Sequence, residues 1–325
     1  MVPKRSFGKT GLRVSVLTFG AWSIGGPAEM GGNQIGWTGV NDAESLDALQ
    51  AAYDAGINFF DTANVYGRGH SEELMAQAFK GIKRAKIIIS SKGGMVDDPS
   101  GFKLDFSAPQ MMQACEGSLR RLQTDYLDVY LLHLVVDGYP LKDETRRALE
   151  DLKKQGKIRH YGVSVQFPFQ GFEQLDKKFG DAMMIEYSPL KREGVVAVLD
   201  RARANGVGVI TRGALEKGLL SGKYQVGHKF DSHDVRIRIA QDYIDRVLGN
   251  VNQLKAKAAA EGWTLLGMAL HYHLAQRGCS TITVGMKTRK QVEEIVAAVK
   301  EKFKYNWKEI TAALEAPAAV EAPAA

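Results

Sequence analysis

Short apolar runs alternate with amphipathic helical patterns along most of the chain. Runs of this length, separated by helices, are typical of parallel strands that are buried on both faces. They predict strands at residues 16–20, 58–61, 86–91, 129–133, 160–163, 183–186, 208–211 and 281–284. Apolar residues at helical spacing predict intervening helices, among them those at residues 43–54, 108–122, 143–155, 194–204 and 289–300.

Eight such strand and helix units in a chain of 325 residues predict an α/β fold, a (β/α)8 barrel. A doubly wound open sheet is the alternative, because periodicity does not show whether the sheet closes. We expect a β-hairpin at residues 5–15 before the barrel and an extra helix at its C-terminal end. Residues 1–315 are therefore expected to form one domain, followed by a disordered Ala/Pro-rich tail at 316–325. The polar segment 223–250 is expected to be an active-site loop with a short helix of its own.

Composition and charge narrow the range of functions. A formal charge of +6, spread along the chain, favours an anionic ligand weakly and argues against a nucleic-acid partner. No signal peptide, membrane span or metal-binding motif is evident, so we expect a cytoplasmic protein. Cys115 and Cys279 lie far apart without CxxC spacing, which predicts buried, reduced thiols.

Four polar side chains follow the predicted strands at the points where the strands end. Asp61 and Tyr66 come with the second strand, Lys92 with the third and His133 with the fourth. Because successive barrel strands are neighbours and their carboxyl ends form the active-site face, these groups are expected to converge. An acid, a phenol, an amine and an imidazole gathered there would form one proton-transfer site.

The chemistry of the four groups suits proton exchange with an oxygen. A free phenol has a pKa near ~10. An adjacent Lys92 ammonium is expected to lower the pKa of Tyr66, while Asp61 keeps Lys92 charged. Tyr66 would then protonate an alkoxide or accept a proton from an alcohol, with His133 orienting the carbonyl. Each residue alone has a structural alternative, as a cap, a packing group, a surface ion pair or a structural histidine. Their combination favours the functional interpretation.

The motif Asp-Thr-Ala-x-x-Tyr-Gly at 61–67, Ser91-Lys92 and Leu132-His133 resemble the catalytic tetrad of the aldo-keto reductase superfamily. Supporting segments lie at residues 11–15, 20–22, 71–73, 118–126, 156–159, 162–164 and 218–224. The resemblance implies a TIM barrel that binds NADPH in an extended form across its C-terminal mouth. It also implies that Tyr66 is the general acid and base, assisted by Lys92 and Asp61.

The resemblance further implies residues that bind the cofactor. Lys287 and Thr288 would hold the adenosine 2′-phosphate at a helix start, where phosphate is favoured, and Gln291 and Glu294 would approach the adenosine. A solvated helix start is the alternative. Lys287 is the aligned cation on which a preference for NADPH over NADH depends. The other implied positions are Gly20, Ala21, Trp22, Asp61, Ser164, Arg212, Gly213, Leu215, Gly218, Leu220 and Gly285.

The chain departs from the family pattern at the cofactor positions. Val165 and Met184 replace an asparagine and a glutamine that usually bind the nicotinamide carboxamide, and Ile295 replaces an asparagine near the adenine. Arg212 stands where many members place an aromatic ring. We expect its guanidinium to cover the nicotinamide or reach the carboxamide, since arginine both stacks and donates. The alternative is an ion pair with a carboxylate and no role toward the cofactor.

Apolar residues are expected to wall the substrate pocket and to favour an aldehyde or ketone with a hydrophobic body; they are Trp22, Ile24, Trp37, Leu134 and Val135. We expect a monomer or a weak homo-oligomer that acts on a small molecule without a nucleic-acid or membrane partner. Two other functions stay open. A nicotinamide-binding regulatory subunit, like the β subunits of potassium channels, fits the changed carboxamide contacts. A Schiff-base lyase would use Lys92 as nucleophile and needs a lysine of depressed pKa.

Overall fold

Eight parallel strands close into a barrel in the computed structural model, which describes residues 1–99, 101–135, 141–232 and 234–302. Strands in these residues are β1 (Lys4–Ser6), β2 (Arg13–Ser15), β3 (Leu17–Gly20), β4 (Glu29–Met30), β5 (Asn33–Gln34), β6 (Phe59–Asp61), β7 (Ile88–Gly93), β8 (Met95–Asp98), β9 (Gly101–Leu104), β10 (Leu127–Val135), β11 (Ile158–Val165), β12 (Ala182–Glu186), β13 (Gly208–Arg212) and β14 (Thr281–Gly285). The barrel order is β3-β6-β7-β10-β11-β12-β13-β14, and β14 pairs in parallel with β3. The (β/α)8 barrel is confirmed, and the open-sheet alternative is wrong.

Helices connect the strands on the outside of the barrel. In the described residues they are α1 (Asp42–Asp54), α2 (His70–Ala78), α3 (Ala108–Leu122), α4 (Asp143–Lys154), α5 (Pro168–Asp176), α6 (Val195–Asn205), α7 (Gln241–Ala260), α8 (Leu265–Leu274) and α9 (Arg289–Lys300). Most bury one face against the sheet, and α4, for example, buries Thr145, Ala148, Leu149 and Leu152, whereas α7 packs in a separate cluster with α8. The five helices expected from helical spacing are confirmed to within a residue or two.

The N-terminal end of the barrel is closed by the predicted hairpin. Strands β1 and β2 pair antiparallel, and Phe7 in the turn between them is fully buried. Phe7 packs inside the strand ends with Val14, Phe59, Ile88, Val129, Leu131, Ala182, Met184 and Ile210. A Cβ on Gly208 would lie 2.5 Å from the Phe7 ring, so glycine is needed for this approach. Ligand access is therefore from the opposite end, the C-terminal mouth.

Some expectations about the loops need correction. The segment 223–250 holds the expected short helix, a 3-10 turn at Val235–Arg238, but α7 begins within it at Gln241, so the loop is shorter than expected. The hairpins β4-β5 and β8-β9 were not expected. The extra C-terminal helix beyond α9 and the tail at 316–325 lie outside the described residues.

Cys115 and Cys279 are buried and free, as expected. In the parts of the chain that the structure describes, no helix is long and apolar enough to cross a membrane.

Candidate active site

The structure brings together the four polar residues that the strand ends predicted. Asp61 ends β6, Tyr66 begins a 3-10 turn at Tyr66–Gly69, Lys92 lies near the end of β7 and His133 lies on β10. Strand β7 pairs with both β6 and β10, so three neighbouring strands deliver all four side chains to one side of the mouth. We call this part of the mouth the catalytic half, defined by β6, β7 and β10.

Lys92 is the centre of the hydrogen bonding in the catalytic half. Its Nζ donates to both Asp61 oxygens at 2.9 and 2.8 Å, to the Thr62 carbonyl at 2.7 Å and to the Tyr66 hydroxyl at 3.2 Å. Ser90 Oγ donates to Asp61 Oδ1 at 2.6 Å. Lys92 and Asp61 are only 1% and 3% exposed, so this ion pair is shielded from water and its geometry is fixed by its partners.

The pKa of Tyr66 is shifted upward, whereas the sequence analysis expected a downward shift. Burial raises the pKa of the phenol more than the Lys92 ammonium lowers it, and Asp61 adds to the increase. The sequence could not reveal this, because it does not show how deeply the ring is buried. Tyr66 is therefore a protonated phenol at neutral pH.

Lys92 stays charged despite its burial. Burial disfavours the ammonium, but the Asp61 carboxylate and Tyr66 together raise the pKa of Lys92 above its usual value. A Schiff-base nucleophile needs the opposite shift. The raised pKa of Lys92 argues against the lyase alternative.

His133 faces Tyr66 as a neutral ring. Their ring centroids are 5.6 Å apart and nearly perpendicular. Burial, with further contributions from Lys92 and Arg212, holds the pKa of His133 well below its ordinary value. His133 Nδ1 is buried and has no hydrogen-bond partner among the described residues.

A local backbone irregularity follows His133. The pairing of β10 with β11 shifts register between Leu132 and Val135, and Leu134 has a φ of 61°. This is uncommon for a leucine, and bulges of this kind are frequent beside active sites, where they re-aim a side chain.

Residues behind the four polar side chains belong to two of the other segments that resemble the superfamily, 71–73 and 118–126. Glu72 on α2 is fully buried, accepts a hydrogen bond from Ser91 Oγ at 2.6 Å and pairs with Arg121 Nε at 2.7 Å. Thr62 and Ser71 hydroxyls lie 2.7 Å apart. Segments 71–73 and 118–126 thereby hold β6 and β7, the strands that carry Asp61 and Lys92.

The remaining strand ends carry the residues expected to bind a cofactor. We call this part of the mouth the cofactor half, defined by β3, β11, β12, β13 and β14. Gly20 ends β3, Ala21 and Trp22 begin the 3-10 turn Ala21–Ile24 that follows it, and Gly285 ends β14. Ser23, which the sequence did not single out, donates through Oγ to the carbonyls of Gly20 and Met286 at 3.0 and 3.3 Å and so ties these two ends together. On β11, Ser164 is buried.

The segment after β13 turns sharply across this half. Gly213 and Gly218 have φ values of 78° and 87°, which favour glycine, and Glu216 and Lys217 also have positive φ. Leu215 is partly buried there. Leu220 is fully buried in a cluster with Val247, Leu248 and Met268, so its backbone, not its side chain, is available to a ligand.

Arg212 forms the ion pair that the sequence left as an alternative. Its Nη1 lies 3.1 Å from Glu186 Oε2, and its Nη2 donates to the Val165 carbonyl at 3.4 Å. Glu186 also pairs with Lys191 at 2.7 Å, and Lys191 lies 3.4 Å from Glu216. Burial opposes ionisation of Glu186, but Arg212 and Lys191 bring its pKa down to about 2. Loops bring Lys191 and Glu216 here, so spacing along the strands gave no signal for this network.

The start of α9 is organised around Lys287. Thr288 caps the helix by accepting from Gln291 N at 3.3 Å, and Gln291 Oε1 accepts from Lys287 N at 2.7 Å. Lys287 Nζ donates to the Thr38 carbonyl at 2.9 Å. Glu294 is exposed, whereas Ile295 is buried in the core and offers no polar contact.

Arg236 was missed at this end of the site, because it lies in a loop without helical or strand periodicity. It pairs with Asp234 at 2.6 Å and stacks 3.9 Å from the Phe230 ring centroid and 5.2 Å from that of Trp37. Lys287 Nζ also lies over the Trp37 ring, at 5.3 Å. The loop that follows β3 and the loop that follows β13, strands on either side of β14, therefore meet near Lys287.

Aromatic rings line the mouth next to Tyr66. The Trp22 ring centroid is 5.2 Å from that of Trp37 and 6.1 Å from that of Tyr66. Leu134 packs against the same region. Ile24 and Val135, which were expected to line the pocket, are instead buried in the main core.

Comparison with known proteins identifies the family of the chain. The model of the Aldo/keto reductase family matches residues 16–315. The chain belongs to the aldo-keto reductase family. This aldo-keto reductase is 30% identical over 299 residues to an aldo-keto reductase of Bacillus subtilis, across 89% of this chain and 86% of that protein. It is 31% identical to a probable voltage-gated potassium channel subunit beta of Arabidopsis thaliana, across 91% and 90% of the two chains.

Solved structures lead to the same family. A holo-form aldo-keto reductase of Bacillus halodurans superposes on this aldo-keto reductase with a TM-score of 0.79 and 29% identity, covering 97% of this chain and 96% of that one. A glycerol dehydrogenase of Gluconobacter oxydans gives a TM-score of 0.78 and 25% identity, covering 96% and 94%. Family membership makes this chain an oxidoreductase of the aldo-keto reductase type. Across the described ranges no cluster of side chains suits a metal ion.

Proposed function

We propose that this aldo-keto reductase transfers hydride from NADPH to the carbonyl carbon of an aldehyde or ketone and that Tyr66 donates the proton. The observation that carries the proposal is the contact of the Tyr66 hydroxyl with Lys92 Nζ at 3.2 Å, in a buried site where Asp61 holds Lys92. A protonated phenol beside a fixed cation is a proton donor whose conjugate base is stabilised.

Each of the four polar side chains in the catalytic half has its own role in the reaction. Tyr66 hydrogen-bonds the substrate oxygen and gives up its proton as negative charge develops there. Lys92 stabilises the resulting phenolate, and Asp61 prevents Lys92 from moving or losing its charge. The neutral His133 orients the same oxygen through a ring N–H. Bound NADPH supplies the hydride.

The cofactor half suits a dinucleotide phosphate. Lys287, at the N-terminus of α9, offers an ammonium where helix dipole and backbone N–H groups already favour an anion. Burial lowers the pKa of Lys287, Asp234 raises it, and Arg236 and Lys223 lower it further, so three cations share this corner with one carboxylate and leave a concentration of positive charge. This concentration supports a 2′-phosphate ligand and hence NADPH over NADH.

The aromatic side chains beside Tyr66 favour a substrate with a hydrophobic body. Trp22 and Trp37 form an apolar wall, and Trp22 is fixed by donating from Nε1 to the Ile35 carbonyl at 2.9 Å. A cytoplasmic location and a monomer or weak homo-oligomer stay predictions.

The test is a fluorescence titration of the purified protein with NADPH and with NADH, followed by turnover of a panel of hydrophobic aldehydes and ketones. The proposal expects tighter binding of NADPH than NADH and carbonyl-dependent oxidation of NADPH. Absence of binding by either nucleotide would overturn it.

A nicotinamide-binding regulatory subunit is the second candidate. The similarity to plant proteins described as probable potassium channel β subunits favours it, as do the apolar Val165 and Met184 at the carboxamide positions. Tight NADPH binding without turnover of any carbonyl in the panel would favour this candidate over the reductase.

A further inference from the structure

A guanidinium stands beside the place where hydride transfer would occur. Arg212 ends β13 directly opposite Glu186 on β12, and its side chain remains 26% exposed at the mouth. Its Nη2 reaches across β12 to the carbonyl of Val165, the last residue of β11. Strand β11 pairs with β10, which carries His133, so the Arg212 guanidinium reaches the strand next to the one that holds His133.

The charge of Arg212 reaches the reacting groups. Burial raises the pKa of Tyr66 and lowers that of His133; Arg212 opposes the first change and adds to the second, at the two groups that would hold the carbonyl oxygen. Glu186 does not belong to Arg212 alone, since its other oxygen pairs with Lys191 at 2.7 Å. Arg212 and Lys191 therefore share Glu186, while Glu216 lies 3.4 Å from Lys191, so the charge of Arg212 is neutralised only in part.

We propose that Arg212 makes the site bind the reduced nicotinamide in preference to the oxidised one, an inference that rests on the proposed function. During reduction, hydride leaves the neutral dihydropyridine with its electron pair and bonds to the carbonyl carbon, while Tyr66 supplies the proton. The ring that remains is a pyridinium cation. Because hydride transfer requires the ring to lie against the carbonyl, the new cation forms close to the guanidinium and is repelled by it.

The Glu186 carboxylate offsets this repulsion only in part, because it also pairs with Lys191 at 2.7 Å. Val165 and Met184 are apolar and buried, so they offer the ring no negative partner. The oxidised cofactor is consequently released more readily after turnover, and the bound couple has a higher reduction potential than it would without Arg212. Specificity for the reduced cofactor is the difference between the affinities for NADPH and for NADP+. Arg212 produces this difference by repelling the oxidised nicotinamide ring.

The experiment measures dissociation constants of NADPH and NADP+ at pH 7 without a carbonyl substrate, so Tyr66 stays protonated throughout. We expect Arg212→Gln to lower the ratio of the NADP+ constant to the NADPH constant by about tenfold, as removal of one nearby charge predicts. For this two-electron couple a tenfold change equals about 30 mV in the potential of the bound cofactor.

Three further variants separate charge from packing. Arg212→Lys keeps the cation and should retain the ratio of the wild type. Glu186→Gln removes the partner carboxylate and should raise the ratio. Arg13→Gln, in the hairpin at the opposite end of the barrel, is the matched control and should leave it unchanged.

Each outcome has a definite meaning. Equal ratios in the wild type, Arg212→Gln and Glu186→Gln, with both nucleotides bound, would overturn this inference and leave the proposed function standing. A loss of affinity for both nucleotides by the same factor in Arg212→Gln would overturn it as well, because the residue would then serve binding in general. Failure of the wild type to bind either nucleotide would overturn the proposed function together with the inference.

Discussion

The catalytic half and the cofactor half of the mouth are built differently. In the catalytic half, Lys92 contacts Asp61, Thr62 and Tyr66 over distances of 2.7 to 3.2 Å. The two charged residues, Lys92 and Asp61, are almost completely buried. In the cofactor half, Arg212 and Lys287 are partly exposed and depend on loop residues for their contacts. Proton transfer gains from a site organised before the substrate arrives, whereas an extended cofactor needs a site that it can enter and leave.

The difference predicts that single substitutions in the two halves affect different quantities. Changes in the catalytic half should mainly affect the rate of chemistry or the stability of the fold. Changes in the cofactor half should mainly affect nucleotide affinity.

The largest effect is expected for Tyr66→Phe. Loss of the hydroxyl removes the proton donor, which contributes typically ~10²–10⁴-fold to the rate, so kcat should fall by about that factor. NADPH affinity should stay close to that of the wild type, since the ring and its packing remain. Steady-state kinetics with a hydrophobic aldehyde and a parallel NADPH titration measure both quantities. A Tyr66→Phe variant with normal kcat would show that another group donates the proton.

Lys92→Met should have the largest effect on stability. It leaves the Asp61 carboxylate buried without its cation, which costs about 3–5 kcal/mol in the free energy of unfolding. Arg212→Met is the matched substitution in the cofactor half, where the ion pair is partly exposed and Glu186 keeps Lys191, so about 1 kcal/mol or less is expected. Urea unfolding of the two variants gives the comparison.

The double variant Lys92→Met/Asp61→Asn removes the stranded charge and should recover part of the lost stability. Equal destabilisation by Lys92→Met and Arg212→Met would mean that the two halves do not differ in the way proposed here.

Lys287→Met should change nucleotide preference with little effect on stability. A hydrogen bond to a charged group contributes about 1.5–3 kcal/mol, so NADPH affinity should fall at least about tenfold while NADH affinity changes little. Arg289→Met, at the start of the same helix, is the control. Arg289 pairs with Asp47 on the surface, so this variant should have a smaller effect. Parallel losses for both nucleotides in Lys287→Met would remove the basis for preferring NADPH.

The effect that is smallest at neutral pH concerns His273, which is buried behind β13. Its Nδ1 lies 2.8 Å from Thr211 Oγ1, and burial lowers its pKa to about 3. The unfolded chain takes up a proton near the ordinary value of 6.5 and the folded chain does not, so stability falls as the pH drops from 6.5 toward 3. The expected contribution is about 1.4 kcal/mol per pH unit within this range.

Unfolding experiments between pH 4.5 and 7 on the wild type and on His273→Gln measure this contribution. Glutamine keeps a polar group near Thr211 but does not titrate, so the variant should show a weaker decline at low pH. Identical declines in the two proteins would assign the pH dependence to other groups.

The catalytic half was predictable because its residues coincide with strand ends. Asp61, Lys92 and His133 belong to neighbouring strands that the apolar runs already marked, and the spacing from Asp61 to Tyr66 places both in one turn. The same alternation predicted the eight strand and helix units, but only the pairing of β14 with β3 shows that the sheet closes. The depth of burial was not predictable from the sequence. For that reason the predicted lowering of the Tyr66 pKa was wrong.

The cofactor half was predictable only in outline. The network that joins Glu186 with Lys191 and Glu216 depends on where loops place side chains, and periodicity carries no information about that. The same holds for Arg236 above Lys287. Family resemblance supplied candidate positions there, but not the partners that Arg212 and Lys287 contact.

The most direct test of the central claim is a single turnover with NADPH that carries deuterium at the transferable position of the nicotinamide. The protein is mixed with this cofactor and a hydrophobic aldehyde, and the product is analysed by mass spectrometry. The wild type should yield an alcohol with deuterium on the former carbonyl carbon, and Tyr66→Phe should yield almost none with the same amount of cofactor bound. Bound cofactor with no labelled alcohol from the wild type, for any carbonyl compound that enters the mouth, would contradict that claim.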